Sequence, residues 1–189
     1  MDATWERLTA LLGPVHHAAL ATARRLCRSR AEGDDLYQDT VLRAFDKLHT
    51  LRDESRFRSW FYATLLSRHR NRYRSAFWKR RVPYDQAFPD GAEPVGEDGR
   101  ERGAEAVRAR RATEALAALD AAQREAVVLF EIDGFTIEEI ADLQHASVPA
   151  VKSRLVRGRD KLRRYYERRG WANANVAPAP AAVAKGATS

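Results

Sequence analysis

The chain has 189 residues, with 33 Lys and Arg against 26 Asp and Glu, a formal net charge of +7 and a single cysteine. That length fits one domain or two small ones, the surplus of positive charge suits a polyanionic partner, and the lone Cys27 excludes an intrachain disulfide and fits a reducing cytosol. No signal peptide opens the sequence and no apolar run is long enough to cross a bilayer, so a cytoplasmic protein without membrane insertion is expected.

Residues 4–81 read as helix throughout. A first helix carries Leu8, Leu11, Leu12 and Val15 on one side and continues past Pro14 to about Arg28. A second runs from about Asp34 to Leu48, burying Tyr37, Val41, Ala44, Phe45 and Leu48. Its opposite face shows Asp35, Gln38, Asp39, Leu42 and Asp46. An exposed Leu ringed by carboxylates and an amide makes a small protein-docking surface, although the same acids also suit a solvated first turn. A third helix, from about Ser55 to Phe77, has Phe57, Trp60, Phe61 and Thr64 on one face and then turns basic nearly all round, with Arg68, Arg70, Arg72 and Arg74 interleaved by Asn71 and Tyr73. A helix charged on every side does not pack in a core, so this end projects toward phosphate or stays a solvated Arg-rich rod.

Composition shifts at residues 82–103, which gather Pro83, Pro89, Pro94, Gly91, Gly96, Gly99 and Gly103 among six acids and keep no amphipathic period. This is a flexible acidic linker with an extended reach of roughly 70 Å, enough for its two flanking domains to sit on separated stretches of one DNA. Residues 104–132 form two helices broken near Asp120, where Asp120 and Gln123 make a cap pair. Leu116, Leu119, Val127, Val128, Phe130 and Ile132 supply the core there. After Gly170 an Ala/Pro-rich tail, residues 171–189, has no core-forming pattern. Strand signals are missing, so the fold class is all-α.

Residues 134–168 are the most informative. Gly134 breaks the chain, Thr136 and Glu139 form a capping box, and Ile137, Ile140 and Ala141 start an apolar stripe. Ser147 caps a second helix with Pro149 in its first turn, where a missing N–H does no harm. Val148, Val151, Leu155, Leu162, Tyr165 and Tyr166 share the buried face, with Gly158 leaving room for close packing. Pro149, Ser153, Arg157 and Arg164 lie opposite, with Ala150 and Lys152 at the edges of that face and Arg154 pointing sideways toward a phosphate or an intramolecular pair. Two capped helices, a tight turn and a basic continuation make a rod for the major groove of DNA.

This segment, through Glu-Glu-Ile-Ala and Val-Lys-Ser-Arg-Leu, resembles the helix-turn-helix of bacterial sigma factors, especially the extracytoplasmic-function (ECF) group. Members of that family usually carry an apolar residue where Gln144 stands, Gly where His145 stands, and Gly-Thr where Pro149-Ala150 stands. The segment Asp-Asp-Leu-Tyr-Gln-Asp-Thr-Val-Leu-Arg-Ala-Phe resembles the family's core-polymerase-binding helix, which implies contact with core RNA polymerase through Asp35, Leu36, Gln38 and Asp39, beside Leu42. The following loop and helix are similar to the promoter-melting region. That implies a flipped base of the minus-ten element held by the loop, with Arg52, Asp53, Ser55 and Arg56, and the duplex just upstream gripped by Arg68, Asn71, Arg72 and Arg74. Minus-35 contacts would fall to Pro149, Ala150, Lys152, Ser153, Arg154 and Arg157.

The domains implied are residues 1–81, melting and polymerase-binding; the linker 82–103; residues 104–170, reading the minus-35 element; and the tail. The partners implied are core RNA polymerase, duplex promoter DNA with its melted non-template strand, and an anti-sigma protein. A conventional operator-binding regulator is the alternative, but it has no need of both a docking face and a basic-aromatic helix. A nuclease built on Asp34, Asp35 and Asp39 is disfavoured, because those acids read as cap and docking groups. His16, His17, His49, His69 and His145 lack metal-ligand spacing, and no phosphate loop or triad appears, so no enzyme activity, metal or cofactor is expected.

Overall fold

The computed structural model describes residues 3–27, 29–79 and 101–171, with side chains for all of these except 73–79, 101, 102 and 104–106. Every regular element among the described residues is helical. The first helix ends earlier than the sequence predicts: α1 (Ala3–Leu12) and α2 (His16–Leu26) are separate. The N–H of Gly13 bonds the Thr9 carbonyl at 3.0 Å and that of Val15 bonds Leu12 at 3.0 Å. Between them Pro14 has no N–H to continue the ladder, and its ring would press on the carbonyl four residues back, so the helix stops and restarts.

Helix α3 (Arg30–Lys47) also starts sooner than expected, because Ser29 rather than Asp34 caps it, accepting the Glu32 N–H at 3.2 Å. Its register depends on Gly33. A Cβ there would sit 2.5 Å from the Arg24 Cα, so α2 and α3 cross as closely as only glycine permits. Two 3₁₀ turns, Leu48–Thr50 and Glu54–Arg56, lead into α4 (Phe57–Lys79). Leu8, Leu26, Leu36, Leu48, Phe61, Tyr62, Leu65 and Leu66 fill the space between these four helices. Trp60 is partly buried against this core, its ring 5.9 Å from that of Phe57.

In the C-terminal half α5 (Glu101–Ala117) begins inside the stretch read as linker; residues 82–100 of that stretch and 172–189 of the tail lie outside the described residues. Asp120 caps α6 (Ala121–Val127), accepting from the Gln123 N–H at 2.9 Å as predicted. A π-helical turn, Val128–Ile132, follows. Its wider coil buries Val128 and Leu129 but carries Ile132 out to 45 % exposure, which corrects the assignment of Ile132 to the core.

Helix α7 (Ile137–Gln144) carries the full capping box, with the Glu139 N–H donating to Thr136 Oγ1 at 3.2 Å and the Thr136 N–H to Glu139 Oε2 at 2.8 Å. Loss of such a cap costs about 1 kcal/mol. His145 closes the helix in the left-handed region at φ 49°, where the family pattern has glycine. Ser147 then caps α8 (Val148–Arg168). Trp171, assigned by sequence to the tail, instead packs on α8, with its ring near those of Tyr165 and Tyr166 and the Arg111 guanidinium 5.0 Å from it.

The two halves are in contact. Buried Arg124 on α6 donates to Leu116, Ala117 and Leu119, closing the C-terminal end of α5, and to the Leu26 carbonyl of α2 at 2.9 Å. It satisfies carbonyls that a helix end leaves orphaned, on both sides of the junction at once.

Candidate nucleic-acid interface

The α3 face is what its spacing predicts, with one exception. Leu42 stands 62 % exposed. Asp35 and Gln38 are exposed and Asp39 is half-buried beside them. Leu36 is the exception: at 0 % exposure it belongs to the core, because it falls on the same side of the helix as Tyr37 and Thr40. It holds the docking face in place from beneath and offers no surface of its own.

Asp39 is engaged. Arg72 donates to its Oδ2 at 2.6 Å and Arg68 reaches the same oxygen at 3.4 Å. The Arg72 hydrogen bond holds the Asp39 carboxyl below the usual carboxylate range, outweighing partial desolvation. Thus two of the predicted duplex-gripping arginines lean back from α4 onto the predicted polymerase-binding carboxylate. Asn71 is exposed on the same helix, and the Arg74 side chain lies outside the described residues.

The loop before α4 exposes Arg52, Asp53, Ser55 and Arg56 together. It is ordered by Asp53, whose Oδ1 accepts the Ser55 N–H at 3.0 Å and the Ser55 hydroxyl at 2.7 Å. Those two bonds keep the Asp53 carboxyl ionised to lower pH than usual. The loop therefore presents a fixed polar rim with Arg56 on its outer side. Arg7 on α1 ties to Glu54 at 2.7 Å and tethers the turn.

On α8 the predicted polar face is open: Pro149, Lys152, Ser153 and Arg157 are exposed and Ala150 is half-buried at the edge. The buried face carries Val151 and Leu155, and a Cβ on Gly158 would lie 2.8 Å from Val127 Cγ2, so α8 rests directly on α6. Arg154 makes the intramolecular pair, donating to Gln144 Oε1 at 2.7 Å.

Gln144, buried where relatives are apolar, in turn donates to the Ala122 carbonyl at 3.0 Å and lies 3.3 Å from Glu125 Oε2. Glu125 Oε1 is 3.1 Å from His69 Nδ1, and both side chains are within 3 % of full burial. This chain of polar contacts from the groove-facing helix to α4 had no signal in sequence spacing, since its members sit far apart in the chain. The one hint was a polar residue at an apolar position.

Among the described residues no cluster of His, Cys, Asp and Glu could hold a metal ion, and no helix is long and apolar enough to cross a membrane. Cys27 is buried, and burial pushes its thiol up to about 12, which makes it a packing group.

Comparison with known proteins gives one answer. The Sigma-70 region 2 family matches residues 12–79, and Sigma-70, region 4 matches residues 109–162. The chain is 32 % identical over 143 residues to the ECF RNA polymerase sigma factor EcfG of Rhodopseudomonas palustris (strain TIE-1), covering 75 % of each chain. It is 33 % identical over 160 residues to the RNA polymerase sigma factor CnrH of Cupriavidus metallidurans, covering 78 % of this chain and 80 % of that one.

Two solved structures resemble it. The sigma factor RpoE in complex with the anti-sigma factor NepR from Bartonella quintana matches with a TM-score of 0.61 at 26 % identity, over 82 % of this chain and 94 % of that one. CnrH in complex with the cytosolic domain of CnrY matches with a TM-score of 0.63 at 25 % identity, over 87 % and 90 %.

Proposed function

The chain belongs to the ECF RNA polymerase sigma factors, and from that premise we propose how its residues divide the work of directing core polymerase to promoters and assisting DNA melting. Core polymerase docks on α3, with Leu42 as the apolar anchor and Asp35, Gln38 and Asp39 as its polar rim. The observation that carries this is an unsupported leucine, 62 % exposed, at the centre of an otherwise hydrophilic face.

The loop around Asp53 takes the flipped base of the melted non-template strand, with Arg52, Ser55 and Arg56 lining it. Arg68, Asn71 and Arg72, together with Arg74, hold the duplex beside it. Extruding a base costs a few kcal/mol, offset by the polar rim and by phosphate contacts. The minus-35 element lies along α8, where Lys152 and Arg157 meet phosphates while Pro149, Ala150 and Ser153 face base edges. Arg154 works from the side, held by Gln144.

The protein acts in the cytoplasm as a binding subunit with no chemistry of its own. The relatives solved with NepR and CnrY support an anti-sigma protein as its regulator. In vitro transcription with purified core enzyme over a promoter library tests the reading. The expected result is weak DNA binding by the free protein and promoter-specific transcripts once core enzyme is added. Tight footprinting of one operator by the free protein, with core enzyme left unprogrammed, would make it a conventional regulator instead.

A further inference from the structure

We propose that this sigma factor latches itself shut: its C-terminal half is the occupant of a built polar docking surface on its own N-terminal half, and binding of core polymerase at α3 releases it. The inference rests on the functional reading above.

Three contacts make the latch. In the first, Asp133 at the end of the π turn enters the N-terminal half, where its carboxylate meets the Thr22 hydroxyl at 2.8 and 2.9 Å and the Tyr62 hydroxyl at 3.2 Å. Arg58 donates to the Asp133 backbone carbonyl and lays its guanidinium over the Phe135 ring at 4.0 Å, while Phe135 packs edge-on to Tyr62. In the second, His69 joins Glu125 on one side and the Leu26 carbonyl, at 3.3 Å, on the other, and Arg124 donates to that same carbonyl. In the third, Arg70 donates to the Leu143 carbonyl at 2.9 Å. Thr22, His69, Arg124 and Glu125 are all at or below 5 % exposure. Buried polar groups this well matched specify one arrangement of the halves.

That arrangement does not fit a promoter. Elements centred near minus ten and minus 35 lie about 25 base pairs apart, roughly 85 Å along the duplex at the rise per base pair. Halves joined by bonds of 2.8 Å cannot occupy both, so the closed form must open before the promoter is read.

The release route is written in five consecutive residues of α4. Arg68 and Arg72 bond to Asp39 on the docking face, whereas His69 and Arg70, between them, bond to the C-terminal half. A partner that takes Asp39 away from these arginines shifts the stretch that grips the latch.

Small-angle X-ray scattering of the full chain, alone, tests the first part. A single-lobed pair-distance distribution is expected, and two separated lobes for the wild-type protein would overturn the proposal even if promoter-specific transcription is normal, which keeps its failure distinct from that of the sigma-factor reading. The second test is Asp133→Arg, checked for intact helicity by circular dichroism. It is expected to give a two-lobed distribution and to tighten core-polymerase binding about tenfold, because the tax of opening is removed. Should that variant lose helicity, Thr22→Val with Arg70→Ala takes its place with the same expectation. A folded latch variant with unchanged shape and unchanged affinity for core enzyme would overturn the proposal.

Discussion

Replacing Leu42 by Ala isolates the docking anchor, because nothing inside the protein depends on that side chain. Burying a leucine completely is worth about 1.5–3 kcal/mol. Leu42 offers 62 % of its surface for a partner to cover, so its burial against polymerase contributes about 1–2 kcal/mol. At 1.4 kcal/mol per tenfold, Leu42→Ala should weaken the complex with core enzyme by roughly five- to thirtyfold. The fold should be unmoved, with a urea-unfolding free energy within about 0.5 kcal/mol of wild type, as for other exposed positions. Fluorescence anisotropy of labelled protein titrated with purified core enzyme measures the first quantity and a denaturant titration the second. An affinity within twofold of wild type would refute the assignment of Leu42 as the anchor. A drop in stability matching the drop in affinity would refute the claim that the two are separable.

Arg124→Met should destabilise the chain by about 3–4 kcal/mol in urea unfolding, since four buried carbonyls lose their donor at once. Gly158→Val should cost roughly 1–3 kcal/mol by thermal melting and weaken binding to a minus-35 duplex in parallel, because the added carbons collide with Val127 and lift α8 from α6. Burial raises the Asp133 carboxyl above its usual 3.8, against the lowering pull of its bonds from Thr22 and Tyr62. The packed form then binds that proton more tightly than the unfolded chain does. The contribution of Asp133 to stability is therefore greatest below the ordinary value and declines as pH climbs through the raised one. Urea titrations at about pH 4.5 and pH 7.5 should show a wild-type difference in that direction which Asp133→Asn diminishes, and an identical difference in both proteins would exclude Asp133 as its source.

The helices and their caps were readable because they are local. Thr136, Glu139, Ser147 and Asp120 act on backbone groups two or three residues away, so their pattern in the chain is their pattern in space. The α3 docking face was readable for the same reason, except at Leu36, where the family motif and the burial periodicity disagree and periodicity wins. Glycine had opposite fates. Gly158 announces itself on an otherwise apolar face, while Gly33 sits among polar residues and reveals its purpose only when Arg24 is placed against it. What could not be read is everything that joins the halves. Thr22 and Asp133 are 111 positions apart and Arg124 and Leu26 are 98, and each alone looks like an ordinary surface residue.

The chemistry of that junction suits a joint made to come apart. A wholly apolar interface would expose greasy surface on opening, at about 25 cal/mol for each Å². A carboxylate, two hydroxyls, an imidazole and three guanidinium groups instead exchange protein partners for water, so the net loss per hydrogen bond is only about 0.5–1.5 kcal/mol. Several such bonds close the halves cooperatively, yet each can be surrendered singly. The arginines that leave Asp39 when polymerase arrives are also the groups that phosphate would next attract. Asp39 thus keeps Arg68 and Arg72 from DNA for as long as no polymerase is bound, and the same carboxylate that recruits the enzyme gives up the cations the promoter needs.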